Sequence, residues 1–313
     1  MQNLAIKNFV HPPPRRAADI YWREFKSHHC ILFGYAEVLS LSMKNRSIKA
    51  VAFDLWETLL LEEDGFNARR TSARCRSLSR ALDNFGVKIS VKQLALAIKE
   101  LASWLAGIWR SSREVSHLDQ ILFIIQTASH GAIKVKKEWI EDLSSAYASA
   151  LFEVQPYLNP DALKVLKWLK DQNKRIGLIC NTGLTPGFGL RRFLENKQLA
   201  KYFEFMIFSD EIGIRKPDPR IFQAAAKSFR LDPQQIVHIG DNLESDIWGA
   251  KNAGFKTIHF SCEVGRDRTA ESNPASLVSI SRELNGLKVD RIVPDKTISS
   301  LAEAIDAIRE LDS

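Results

Sequence analysis

Only four cysteines occur in 313 residues, Cys30, Cys75, Cys180 and Cys262, and no two have the paired spacing of a structural zinc site. Their sparsity argues against a disulfide framework and for a reducing setting, so a soluble cytoplasmic protein is expected. No apolar run approaches the roughly 18 residues that span a bilayer; the richest windows, such as residues 121–125, are soon broken by polar side chains. Internal repeats and low-complexity tracts are absent. What remains is ordinary globular composition, 45% hydrophobic and 26% charged. The length suits one large domain or two modest ones.

The net charge of +7 raises the question of nucleic acid. It is not focused on a binding surface: residues 1–48 hold seven Lys/Arg against three acids, which is more than half of the excess. No nucleic-acid or membrane partner is therefore expected, and the oligomeric state is left open. Residues 1–47 contain Pro12, Pro13, Pro14, Arg15 and Arg16 but no sustained period. Three readings fit them: a poorly ordered extension or upstream start, an organelle-targeting or partner-binding segment, and a nucleic-acid arm.

After residue 47 the pattern sorts into two kinds of text. An apolar run from Ile48 to Phe53 reads as a buried strand. Residues 64–155 then read as helix after helix, over 70–85, 91–109, 118–129 and 137–152, with apolar positions three and four apart, as at Leu94, Ile98, Leu101 and Leu105. Trp104 and Trp109 are expected to fill that bundle. Beyond Pro156 strands at 175–180, 205–208, 236–239 and 256–260 alternate with helices at 161–172, 190–202, 220–229 and 246–253. A long loop over 263–288, a strand at 290–293 and a helix at 298–311 complete the chain. Short apolar strands alternating with helices predict a parallel sheet covered on both faces. The fold class is therefore α/β, a Rossmann-like core (48–63 and 156–313) with an inserted helical-bundle cap (64–155).

Polar clusters follow three of the strands. Asp54 closes the first and is followed by Thr58 and Leu59; Lys216 lies in the run Arg215, Lys216, Pro217, Asp218, Pro219; Gly240 and Asp241 end the strand at 236–239, with Asp246 just beyond. Strand ends are where α/β proteins hold ligands. A carboxylate so placed can attack phosphorus or an activated carbon and form an ester that water then breaks. On an anionic substrate that chemistry needs cations, which Lys216 and a magnesium ion held by Asp54, Asp241 and Asp246 can supply.

Asp54 with Thr58 and Leu59, the helical insert, the strand ending at Cys180, then Lys216 with Pro217, and Gly240, Asp241 with Asp246, together resemble the haloacid dehalogenase-like hydrolase superfamily. The resemblance covers about residues 47–260 and the last helix. It implies Asp54 as nucleophile, Lys216 as the charge-balancing lysine, Asp241 and Asp246 as acidic metal ligands, and the Trp56 main-chain carbonyl as a further ligand. The implied function is a magnesium-dependent phosphatase of a small phosphorylated metabolite. Two positions depart from the pattern. Trp56 stands where phosphatases of the family carry a second Asp, the general acid and base, which leaves Glu57 as the substitute. Cys180 stands where a Ser or Thr binds the phosphoryl group, beside Asn181 and Thr182, and all three are expected to border the phosphoryl group here, Cys180 as the poorer donor. Trp56 also resembles the aromatic residue of dehalogenases, so a metal-independent 2-haloacid hydrolase is one alternative and a weakened binding or scaffold protein another.

Overall fold

The computed structural model describes residues 47–261 and 291–313; the segment 1–46 and the loop expected over 263–288 lie outside them. Six strands, all parallel, form one sheet: β1 (Ala50–Phe53), β4 (Arg175–Cys180), β5 (Phe205–Phe208), β6 (Ile236–Gly240), β7 (Lys256–Phe260) and β8 (Lys296–Ile298). Their order is β5-β4-β1-β6-β7-β8, so β1 lies in the interior between β4 and β6. Side chains alternate across a strand. Val51 and Phe53 therefore pack with Val165, Leu190, Phe193 and Ile308 on one face, while Ala50 and Ala52 meet Ile221, Phe222 and Phe229 on the other. With helices on both faces, the strands are apolar throughout rather than alternating.

Between β1 and β4 the chain leaves the sheet through a two-stranded antiparallel ribbon, β2 (Leu60–Leu61) and β3 (Tyr157–Leu158). Two residues a side are too few for a periodic signal, and the sequence did not announce it. Beyond the ribbon stand helices α1 (Phe66–Asn84), α2 (Val91–Trp109), α3 (His117–Ala128) and α4 (Ile140–Glu153). α2 starts at a capping box, with Ser90 and Gln93 satisfying each other's backbone N–H groups. These helices enclose an apolar cluster of their own, including Leu78, Leu94, Leu101, Ile125, Leu143 and Tyr147. Trp109 belongs to it. Trp104 does not fill the bundle: it is 40% exposed and stacks on Phe123 at 4.9 Å, because it falls beside the Leu94, Ile98, Leu101, Leu105 stripe.

Three further boundaries differ from expectation. The helix foreseen over 190–202 starts earlier, at Gly187, and stops at Asn196, followed by a separate 3-10 turn, Ala200–Tyr202. The helix foreseen over 246–253 begins as a π-helix, Leu243–Trp248, before Gly249–Asn252 becomes α. The strand foreseen at 290–293 is instead Lys296–Ile298, and the closing helix shrinks to Ala304–Asp312. Asp295 explains the shift. Its carboxylate accepts from the Thr257 N–H and hydroxyl, both at 2.8 Å, which fixes the chain entering β8, whereas Pro294 lacks the N–H a ladder needs and Val293 is 69% exposed.

Candidate active site

Because β4, β1 and β6 are neighbours and parallel, whatever follows their C-terminal ends converges. Asp54 follows β1 directly, its N–H bonded to the Ile239 carbonyl of β6 at 2.9 Å. Asp241 follows β6, and Asn181 and Thr182 follow β4. Carboxylate oxygens of Asp54, Asp241 and Asp246 lie within 4.8 Å of one another. Lys216 Nζ donates to Asp54 Oδ1 at 2.5 Å and to Asp246 Oδ1 at 2.6 Å, and all three side chains are buried.

Local sequence explains how each group is held. In the Lys216, Pro217, Asp218, Pro219 run, Asp218 caps the helix Pro219–Phe229 by accepting from the Arg220 N–H, and Pro219 takes the first helical position. Lys216 is thereby fixed just ahead of a rigid helix. Gly240 is required by contact: a Cβ there would sit 2.4 Å from Asp246 Cγ, so only glycine lets that carboxylate lie against the end of β6. Asn242 caps the π-helix through bonds from the Glu244 and Ser245 N–H groups, while its own N–H donates to Asp246 Oδ2 at 3.1 Å. His238 Nε2 completes the seat at 2.9 Å from Asp246 Oδ1.

The electrostatics are those of a site short of positive charge. Burial raises the Asp54 carboxyl to about 8, with Lys216 opposing and Asp246 and Asp241 adding to the rise. Asp246 is desolvated too, yet Lys216 and His238 hold it below the usual carboxylate range. Burial works against the Lys216 ammonium, but Asp246 and Asp54 outweigh it and raise its pKa. With Asp54 ionised, three carboxylates around one ammonium lack two positive charges, and that donor set suits a hard divalent cation.

These groups open into a cavity of about 320 Å³ that is also lined by Trp56, Glu57, Asn67, Arg70, Arg74 and Trp109. Trp56 lies under the Arg70 guanidinium, 5.3 Å from ring to charge. Glu57 adopts the left-handed region at φ 57° and lines the same space, a conformation that non-glycine residues hold mainly where the surroundings enforce it.

The residues after β4 are used differently from expectation. Cys180 is fully buried among Leu178 and Phe208, lies outside the cavity lining, and has its thiol raised by burial, so it offers no donor to a ligand. Asn181 spends both ends of its amide on the Lys216 main chain, accepting from its N–H at 2.9 Å and donating to its carbonyl at 3.0 Å. Thr182 turns to Ser209, which bonds its N–H and hydroxyl. Asn181 and Thr182 still line the cavity, together with Gly183, Leu184 and Thr185.

Other residues at the site carry no motif. Glu114, from the loop joining α2 to α3, accepts from Trp109 Nε1 at 2.6 Å, Ser209 Oγ at 2.8 Å and Arg215 Nη1 at 3.0 Å, while the Arg215 guanidinium lies 3.9 Å from the Trp109 ring. Backbone bonds from Glu114 N to Gly213 O and from Arg215 N to Ser112 O run alongside. This latch ties the helical insertion to the loop that carries Lys216. An isolated Glu far from any repeat gave no signal in the sequence.

The fold and the site agree with comparison to known proteins. Residues 48–254 match the haloacid dehalogenase-like hydrolase profile, and the chain belongs to that family. A protein named glyceraldehyde 3-phosphate phosphatase from Methanopyrus kandleri is 27% identical over 271 residues, covering 84% of this chain and 98% of that one. Another of that name from Pyrococcus abyssi is 37% identical over 127 residues, which is 39% of this chain and 50% of the relative. Among solved structures, a 2-haloacid dehalogenase from Pseudomonas syringae pv. Tomato DC3000 superposes with a TM-score of 0.57 at 20% identity, covering 84% of this chain and 99% of that one, and shares the fold.

Proposed function

We propose that this hydrolase is a magnesium-dependent phosphatase of a small phosphorylated metabolite and works through a phosphoryl-Asp54 intermediate. The observation that carries the reading is the convergence of Asp54, Asp241 and Asp246 around Lys216 in one cavity. Similarity to proteins named as phosphatases of a phosphorylated triose supports a small phosphorylated substrate. Asp54, Asp241, Asp246 and the main-chain carbonyl of Trp56 are the proposed magnesium ligands. When bound, the ion would supply the missing positive charge to Asp54 and to the phosphoryl oxygens.

Asp54 attacks phosphorus in line, and the bond from phosphorus to the leaving oxygen breaks as that oxygen takes a proton from Glu57. Glu57 then takes a proton from the water that cleaves the acyl phosphate, releasing phosphate and restoring Asp54. Lys216 balances charge on Asp54 throughout. Asn181 acts through Lys216 rather than on the substrate, and the turn 181–185 borders the phosphoryl site. Residues 64–155 act as a cap that covers the reaction and selects the substrate, with 48–63 and 156–313 as the core. Trp56 at the acid–base position favours a second reading, a ligand-binding member with negligible turnover.

Phosphate release from a panel of phosphate esters, with and without magnesium, separates these readings. Release by wild type with magnesium, lost in Asp54→Asn, supports the phosphatase. Equal release by both proteins contradicts the nucleophile.

A further inference from the structure

Two arginines one turn apart on α1, Arg70 and Arg74, line the cavity from the helical insertion. Their spacing puts both on one helix face, and both are buried, at 3% and 2% exposure. They are not equally satisfied. Arg70 donates from Nε and Nη2 to the Val154 carbonyl at 3.2 and 3.1 Å, and its Nη1 lies 2.5 Å from Glu62. Arg215, a third buried arginine at the cavity, is answered by Glu114. Arg74 has the Tyr147 ring, 4.7 Å from its guanidinium carbon, while its Nε has no hydrogen-bond partner. Among the described residues no carboxylate pairs with it.

A π-face offsets part of the cost of burying a cation but satisfies none of its N–H donors. A guanidinium that lines a cavity, is kept dry and has no carboxylate partner is a poor structural element and a good receptor, because its planar fork matches carboxylate and phosphate oxygens. The support beneath it is rigid. Tyr147 is fully buried, and its hydroxyl donates to Gln120 Oε1 at 2.7 Å; Gln120 Nε2 in turn donates to the Val115 carbonyl at 3.1 Å and to the Gly183 carbonyl at 3.2 Å, in the turn after β4.

We propose that Arg74 receives a second anionic group of the substrate, a carboxylate or a second phosphate, so that this site selects phosphorylated acids or bisphosphates over phosphate esters of neutral alcohols. The proposal rests on the phosphoryl-site reading above and deepens it. Asp54 and Lys216 take the reacting phosphoryl group at the sheet end of the cavity, and Arg74 takes the remote anion at the α1 end. A neutral substrate leaves the arginine buried and unanswered, a larger penalty than a missing apolar contact.

Calorimetric titration with non-hydrolysable phosphonates, in magnesium, tests it. The probes are ethylphosphonate, phosphonocarboxylates of graded chain length and methylenebisphosphonate, against wild type, Arg74→Met and Arg74→Lys. Wild type is expected to bind at least one two-anion probe roughly 10- to 100-fold more tightly than ethylphosphonate. That ratio collapses toward one in Arg74→Met and is partly restored in Arg74→Lys. Preference for the carboxylates or for the bisphosphonate identifies which anion is taken. A wild-type ratio of one overturns the proposal even where Arg74→Met does not fold, and so does a high ratio that survives Arg74→Met. Wild type that binds none of the phosphonates, ethylphosphonate included, overturns the phosphoryl site itself and this proposal with it.

Discussion

The two ends of the cavity are built on opposite principles. At the sheet end the charged groups hold one another in place and are short only of a cation: Lys216 lies between Asp54 and Asp246, Asp246 is seated by His238 and the Asn242 N–H, and Asn181 fastens the Lys216 backbone. At the α1 end Arg74 rests on a ring with its Nε buried and unpartnered. A fixed reaction needs a fixed constellation. Substrate choice needs a group that stays unsatisfied until the right ligand arrives, and that difference separates chemistry from selection within one pocket.

The comparison breaks most visibly at the nucleophile. Asp54→Asn is expected to lower kcat by roughly 10,000-fold or more while barely moving the melting temperature, as read by phosphate release and thermal unfolding. A modest loss means that the sheet end does not carry the reaction. Gly240→Ala reaches the same end indirectly. Its methyl group must displace Asp246, whose Cγ would lie 2.4 Å away, so magnesium affinity measured by calorimetry should fall about 10- to 100-fold.

Glu114→Gln tests whether the latch joins the helical insertion to the core. It leaves Arg215 buried without its anion, and denaturant unfolding should show a loss of about 3 kcal/mol. Asn181→Ala separates a positioning role of its amide from contact with the substrate. If its amide positions Lys216, kcat falls about tenfold with KM little changed; a rise in KM alone returns it to the substrate.

The smallest effect concerns pH. The Asp54 carboxyl sits at about 8 against an ordinary 3.8, so between those values the folded state holds a proton that the unfolded state has released. Without metal this group's contribution to stability therefore falls as pH rises from about 4 to 8. Magnesium favours the ionised carboxylate, so the gap between melting temperatures with and without it should widen over that window. A constant gap means that Asp54 does not share the ion.

The same contrast explains what the sequence made legible. Apolar strands followed by Asp54 and Asp241 could be read directly, because a strand end is a place that periodicity defines, whereas Lys216 lies not at a strand end but beyond the short helix Ser209–Ile212 and was marked by its run with Pro217, Asp218 and Pro219. The parallel order of β4, β1 and β6 then brings those positions together. Side-chain direction after a strand is not periodic, which is why Asn181, Thr182 and Cys180 could be located but not aimed. The pairings of Glu114 with Arg215 and of Arg74 with Tyr147 join residues 101 and 73 positions apart, and no spacing rule reports such contacts. The ribbon of Leu60–Leu61 with Tyr157–Leu158 was too short to register.

In the proposed reaction Asp54 carries the phosphoryl group between substrate and water. Acid quench of the enzyme during turnover with magnesium, followed by peptide mass spectrometry, tests it directly. A phosphoryl adduct on the peptide containing Asp54, absent from Asp54→Asn, is the expected result. Sustained phosphate release with no adduct on that peptide, matched by equal release from Asp54→Asn, contradicts it.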